Sequence, residues 1–218
     1  METVEIQVPK TARYYFSEAP AAHHTQLCFC LHGYGQLAQY FIKNFRHKEL
    51  QHILFVAPEG LNRFYLPGDK KRVGATWMTK EARLTDIADY VNYLDLVHQD
   101  VLHKLHQPLP TGLFGFSQGV ATASRWLAHT SIVFNYFVNW AGAYPPDLDF
   151  KAALEKTKRI PTLMVAGDND EYISEERLQE HLQHLKEKGF TPILQRYTGT
   201  HKIYKEPLLE LFTERLKG

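Results

Sequence analysis

The chain has 218 residues, with 25 lysine and arginine side chains against 24 aspartate and glutamate, and a formal net charge of +1. One domain spanning residues 1–218 is the simplest expectation, and a 44% apolar composition supplies a core and excludes a disordered chain. The neutral balance removes the basic footprint of a nucleic-acid binder, and no apolar run reaches the roughly 18 residues of a membrane span.

Residues 2–8 (ETVEIQV) and 11–16 (TARYYF), parted by Pro9-Lys10, read as an N-terminal antiparallel hairpin. This opening has no apolar h-region, so no signal peptide is expected. Short apolar segments then alternate with helical ones. Strands are expected at 25–31, 52–58, 111–116, 133–140, 161–167 and 192–198. They lack strict polar alternation, as expected when both faces of a mainly parallel sheet are covered. Cys28 and Cys30 would share one face of the first such strand. They read as reduced, buried side chains, and they point to a cytoplasmic protein. The clearest helix runs from Thr85 to His106, with apolar residues at three- and four-residue steps. Others begin near Gln118, Ser174 and Glu206. Ser174 has the features of an N-cap, with Ile173 and Leu178 placed as a staple across it. The alternation specifies a three-layer α/β domain with right-handed crossovers, whose functional loops lie at the carboxyl ends of the strands.

The strand at 111–116 runs straight into Gly115-Phe116-Ser117-Gln118-Gly119, a G-x-S-x-G pattern at a strand-to-helix turn. Only five serines are present in the whole chain. An accidental match is expected about 2% of the time from composition. A nucleophilic serine needs a sharp turn to expose its hydroxyl, and small residues two positions to either side where strand and helix backbones meet. The Gln118 N–H then opens the helix toward a developing oxyanion. Leu31-His32-Gly33-Tyr34-Gly35-Gln36, after the strand at 25–31, is an H-G-x-G turn able to offer a second N–H. Three carboxylates follow the strand at 161–167, at Asp168, Asp170 and Glu171. His201 follows the last strand in a glycine-containing loop, where it could serve as general base. Among the other histidines, His181 and His184 read as a solvated helix face, and His32 as a partner in loop hydrogen bonds. His23 and His24 show no partner pattern.

Taken together, LHGYGQ (31–36), APEG (57–60), Trp77, GFSQG (115–119), GDND (167–170) and GTH (199–201) resemble the α/β-hydrolase superfamily. Within it, they resemble the phospholipase/carboxylesterase family that includes acyl-protein thioesterases. The resemblance implies Ser117 as nucleophile, Asp170 as acid, His201 as base, and Tyr34 and Gln118 as backbone oxyanion donors. The segment 63–79 departs from that family in detail, so no member's substrate preference carries over. Aromatic residues gather near the implied site, and Trp77, Tyr65 and Tyr172 are the expected substrate-binding rings. The basic run Lys70, Lys71 and Arg72 would suit an anionic ester. Ala141 to Ile160 leaves no room for a large lid domain. The expected activity is serine-dependent cleavage of small-molecule carboxylic esters or thioesters through an acyl-enzyme, with no metal or cofactor. A peptidase or amidase using the same triad, or a noncatalytic small-molecule binding protein of the same fold, is the alternative.

Overall fold

The computed structural model describes residues 2–68 and 71–216. In chain order the elements are β1 (Tyr14–Phe16), β2 (Gln26–Leu31), α1 (Ala38–Phe41), β3 (Ile53–Pro58), β4 (Asn62–Tyr65), β5 (Val73–Thr76), α2 (Arg83–Leu102) and β6 (Thr111–Phe116). Then follow α3 (Gln118–His129), β7 (Tyr136–Trp140), α4 (Phe150–Thr157), β8 (Thr162–Gly167), α5 (Glu175–Glu187), β9 (Ile193–Tyr197) and α6 (Lys205–Glu210). Seven strands form one sheet in the order β1-β3-β2-β6-β7-β8-β9, and β4 and β5 form a separate two-stranded ribbon. All pairings in the large sheet are parallel except β1 with β3.

The lack of alternation in these strands has the expected cause. Along β2, Leu27, Phe29 and Leu31 enter one core, while Cys28 and Cys30 enter the other. One core lies beneath α2, α3 and α5, and the other beneath α1, the short turn at Phe45 and the C-terminal helix. The result is the three-layer α/β arrangement. No helix among the described residues is long and apolar enough to cross a membrane. The segment between β7 and β8 holds only α4, capped by the Asp149 side chain accepting from the Ala152 N–H, and no lid.

Three expectations change. The N-terminal hairpin does not form: residues 2–13 carry no strand and are exposed. An antiparallel pair does open the sheet, but the partner of β1 is β3, with Tyr15 opposite Ala57. Strand β3 offers a long buried edge, whereas Val4, Ile6 and Val8 find no surface to bury against. The long helix starts at Arg83 and stops at Leu102, short of His106, with the His103 N–H donating to the Gln99 carbonyl as its last helical bond. His181 is not on a solvated face: it is half-buried, and its Nε2 accepts the Tyr144 N–H at 3.1 Å. Burial lowers its pKa below the ordinary histidine value.

Phe114, fully buried in β6, sits within 5.1 Å of the Phe45 ring, 5.9 Å of Trp140 and 6.5 Å of Phe212, all centroid distances. Phe114→Ala should lower the unfolding free energy by about 3–5 kcal/mol in urea denaturation. A loss under about 1 kcal/mol would mean that this layer closes over the void.

Candidate active site

The turn between β6 and α3 carries the most constrained backbone near the site. Ser117 has φ 54° and ψ −118°, a region that non-glycine residues rarely occupy. Its N–H donates to the Trp140 carbonyl at 2.9 Å, tying the turn to β7. The flanking glycines are steric requirements. A Cβ on Gly115 would lie 2.6 Å from the Gly119 carbonyl oxygen, and one on Gly119 would lie 2.1 Å from that of Leu31. Sheet and helix therefore meet at backbone distance, and the Ser117 hydroxyl projects beyond the strand ends.

His201 Nε2 lies 2.9 Å from Ser117 Oγ, and His201 Nδ1 lies 2.8 Å from Asp170 Oδ2. The Asp170 side chain is 1% exposed and that of His201 12%. The other Asp170 oxygen, Oδ1, accepts the N–H groups of Tyr172 (2.8 Å) and Ile173 (3.1 Å). Asp168 has a different task. Its Oδ1 accepts the Gly199 N–H at 2.9 Å, a bond that holds this exposed carboxyl below the usual aspartate range. The loop bearing His201 is pinned from several sides. Trp140 Nε1 donates to the Lys202 carbonyl at 3.0 Å, the Tyr204 hydroxyl accepts the Thr200 N–H at 3.1 Å, and Glu171 accepts the His201 N–H at 3.1 Å.

The turn at His32–Gln36 packs directly on the serine, where a Cβ on Gly33 would come within 3.2 Å of Ser117 Cβ. The Gly33 N–H donates to Gln36 Oε1 at 2.8 Å, and Gly35 N–H donates to the Ala75 carbonyl of β5 at 2.8 Å. Among the described residues, the N–H groups of Tyr34 and Gln118 have no protein partner. Two backbone donors beside a serine–imidazole–carboxylate line can polarise an acyl carbonyl while the serine attacks it.

The sequence-expected site residues divide. Ser117, Asp170, His201, Gln118 and Tyr34 converge, and the Tyr172 ring stands edge-on to the His201 ring at 4.7 Å. Trp77 does not line the site. It is 1% exposed, stacks on His32 at 4.9 Å and donates through Nε1 to the His32 carbonyl at 2.8 Å. It supports the turn from behind, because an indole this large finds its donor partner there. Tyr65 is exposed and stands outside the cluster. Strand alternation turns its neighbour Phe64 toward the site, where Phe64 packs on Tyr34 at 5.0 Å. Lys70 lies outside the described residues. Lys71 and Arg72 line a cavity of about 680 Å³ that begins at Gly35, with Leu37, Phe41 and Leu66 among its apolar walls.

Two buried residues shape this site from beneath, and one of them, His32, makes the loop hydrogen bonds expected of it. His32 is fully buried: its Nε2 accepts the Gly60 N–H at 2.9 Å, which leaves Nδ1–H to donate to the Gly33 carbonyl at 2.8 Å. Glu59, also buried, accepts Arg13 Nε at 2.7 Å and the Ala38 N–H at 3.3 Å. The APEG segment thus braces the turn.

The fold is that of the α/β-hydrolases. Residues 22–207 match the family model described as serine hydrolase (FSH1), and the chain belongs to that family. Among solved structures it is similar to acyl-protein thioesterase 2 of Zea mays, at 19% identity and a TM-score of 0.67 over 95% of this chain and 100% of that one. It is also similar to esterase PE8, at 22% and 0.70 over 95% and 98%. A phospholipase/carboxylesterase from Dyadobacter fermentans aligns at 16% and 0.67 over 97% and 99%. At these identities the likeness is one of fold. Among curated proteins, none matches the chain.

Burial pushes the His32 imidazole down to about 4. Its folded pKa lies below the ordinary value of about 6.5. The unfolded chain therefore takes up this proton first as pH falls. The contribution to stability is complete above pH 6.5 and is lost down to about pH 4, by on the order of 3 kcal/mol. His32→Gln should remove that component. Urea denaturation at pH 7 and pH 4.5 should then show a smaller loss on acidification for the variant than for the parent. Equal losses would contradict the assignment.

Proposed function

We propose that residues 1–218 form one catalytic domain that hydrolyses small-molecule carboxylic esters or thioesters through Ser117, His201 and Asp170. The observation that carries this is the unbroken hydrogen-bonded line from Ser117 Oγ through both nitrogens of His201 to a buried carboxylate. His201 Nε2 takes the hydroxyl proton as Ser117 Oγ attacks the acyl carbon. Asp170 holds the imidazole by its Nδ1–H and stabilises the imidazolium. The tetrahedral oxyanion accepts from the Tyr34 and Gln118 N–H groups. His201 then gives its proton to the departing alkoxide or thiolate, leaving an acyl-serine. A water molecule that loses its proton to His201 attacks the acyl carbon. Collapse of the second tetrahedral intermediate returns that proton to Ser117 and releases the acid.

Tyr172 and the Tyr34–Phe64 pair are the rings proposed to flank the acyl group, with Tyr65 farther out on the ribbon. The scheme calls on side chains and backbone alone. A cytoplasmic setting is supported by Cys28 and Cys30, which are free and buried with their Sγ atoms 3.9 Å apart.

A fluorophosphonate probe should label the parent chain and fail on Ser117→Ala. Absence of labelling in the folded parent would instead fit a noncatalytic binding protein. On a series of p-nitrophenyl esters and acyl thioesters, Asp170→Asn should lower kcat by about 10⁴-fold. Asp168→Asn, which loosens only the turn, should cost no more than about tenfold. Equal losses at the two positions would move the acid role away from Asp170.

A further inference from the structure

The loop joining β1 to β2 carries a carboxylate and two adjacent imidazoles that the proposed reaction does not use: Glu18, His23 and His24. His24 is 1% exposed, while Glu18 and His23 face solvent. Glu18 Oε1 lies 3.1 Å from His24 Nε2 and 3.5 Å from His23 Nε2. The two rings are 4.2 Å apart, and one donor atom from each of the three residues falls within a span of 4.8 Å. Tetrahedral zinc, with bonds near 2.1 Å, has ligand-to-ligand edges of about 3.4 Å. The two distances from Glu18 bracket that edge.

A second feature concerns the far side of the His24 ring. Nδ1 is 3.0 Å from both the amide nitrogen and the carbonyl oxygen of Ala21. When Nε2 is protonated and donates to Glu18, Nδ1 can accept the Ala21 N–H. When the proton sits on Nδ1, it donates to the Ala21 carbonyl, and Nε2 presents a bare lone pair to the Glu18–His23 side. A buried histidine would ordinarily lose a partner on changing tautomer; here Ala21 serves both. Ligating histidines commonly hold their other ring N–H on a backbone carbonyl, and the second tautomer has that arrangement.

We propose that Glu18, His23 and His24 form a binding site for a divalent transition-metal ion, with zinc as its best-matched occupant and solvent in the fourth position. The loop enters β2 at its amino end, whereas the His32–Gln36 turn leaves the carboxyl end. Six strand residues, about 20 Å, separate the two. The ion would fasten the β1–β2 connection and stabilise the folded chain by mass action, without entering the hydrolytic chemistry.

The test is zinc titration of the full chain by calorimetry, together with thermal unfolding with and without zinc. One ion should bind per chain and raise the Tm. Both His23→Gln and Glu18→Gln should weaken binding by about tenfold or more and abolish the rise in Tm. These two side chains are solvent-facing, so the variants should fold, and unchanged ester turnover of the zinc-free variants checks that they do. Histidine ¹⁵N spectra add an independent readout, because the His24 proton should move from Nε2 to Nδ1 on zinc addition. Failure to saturate, binding that survives both substitutions, or an unmoved His24 proton would overturn the proposal.

Discussion

The reactive end of this molecule depends on holding the Ser117 backbone where side chains do not ordinarily go. A positive φ at a non-glycine residue costs on the order of 1–3 kcal/mol and persists only when its surroundings over-determine it. Here the surroundings do so. The Ser117 N–H is committed to Trp140, and β6 and α3 approach so closely that no Cβ fits at Gly115 or Gly119. Relaxing the turn would pull a helix off the sheet. The strain is therefore carried by the two cores rather than by the loop, and the hydroxyl stays aimed at His201.

The same logic extends to the turn that faces the serine. A Gly-rich loop would ordinarily sample many conformations, and a pair of backbone donors is useful only if they stay put. This one is held by neutral His32 beneath it, by Trp77 behind it and by the β4–β5 ribbon alongside, where the Gly35 N–H donates to Ala75 and Gln36 bridges to the same residue. The pKa depression of His32 is a by-product of that burial. Its neutral form can accept from Gly60 and donate to Gly33 at once. The charged form, with two donors, could not.

How much of this was legible in the sequence follows from what each feature depends on. The six parallel strands and the serine turn were readable because they rest on local patterns: apolar runs, glycines at fixed offsets, and a strand leading straight into a helix. Chain order at successive strand ends brings Ser117, a carboxylate of the loop at 168–171 and His201 to one end of the sheet, while the choice of Asp170 among those carboxylates came only from the family resemblance. What was not legible depends on distant partners. Val4, Ile6 and Val8 alternate like a strand, yet they find no buried edge, and β3 takes β1 instead. Trp77 looks like a site aromatic until its partner, the His32 carbonyl 45 residues away, is in place. The β4–β5 ribbon has strands of only four residues each: β4 alternates too briefly to stand out, and β5 is buried through small and polar residues rather than an apolar run. His24 is hidden for a similar reason, because its two hydrogen-bonding choices belong to the Ala21 backbone and leave no mark on residue type.

Composition also leaves Asp168 and Asp170 indistinguishable, two carboxylates on one loop, and hydrogen bonding separates them. A carboxylate can steady an imidazole only if its own orientation is fixed and its charge is kept out of water. Asp170 meets both conditions: Oδ1 is bound by two successive backbone N–H groups, its side chain is buried, and Oδ2 is left for His201. Asp168 fails the second, since it is exposed, and its Oδ1 is taken up by Asn169 Nδ2 and by the N–H of Gly199, two residues before the histidine. The Gly199 bond nonetheless matters, because it ties the end of β8 to the loop that carries His201. One aspartate sets where the imidazole sits, and the other sets which way it faces. The short spacing between them lets a single loop do both.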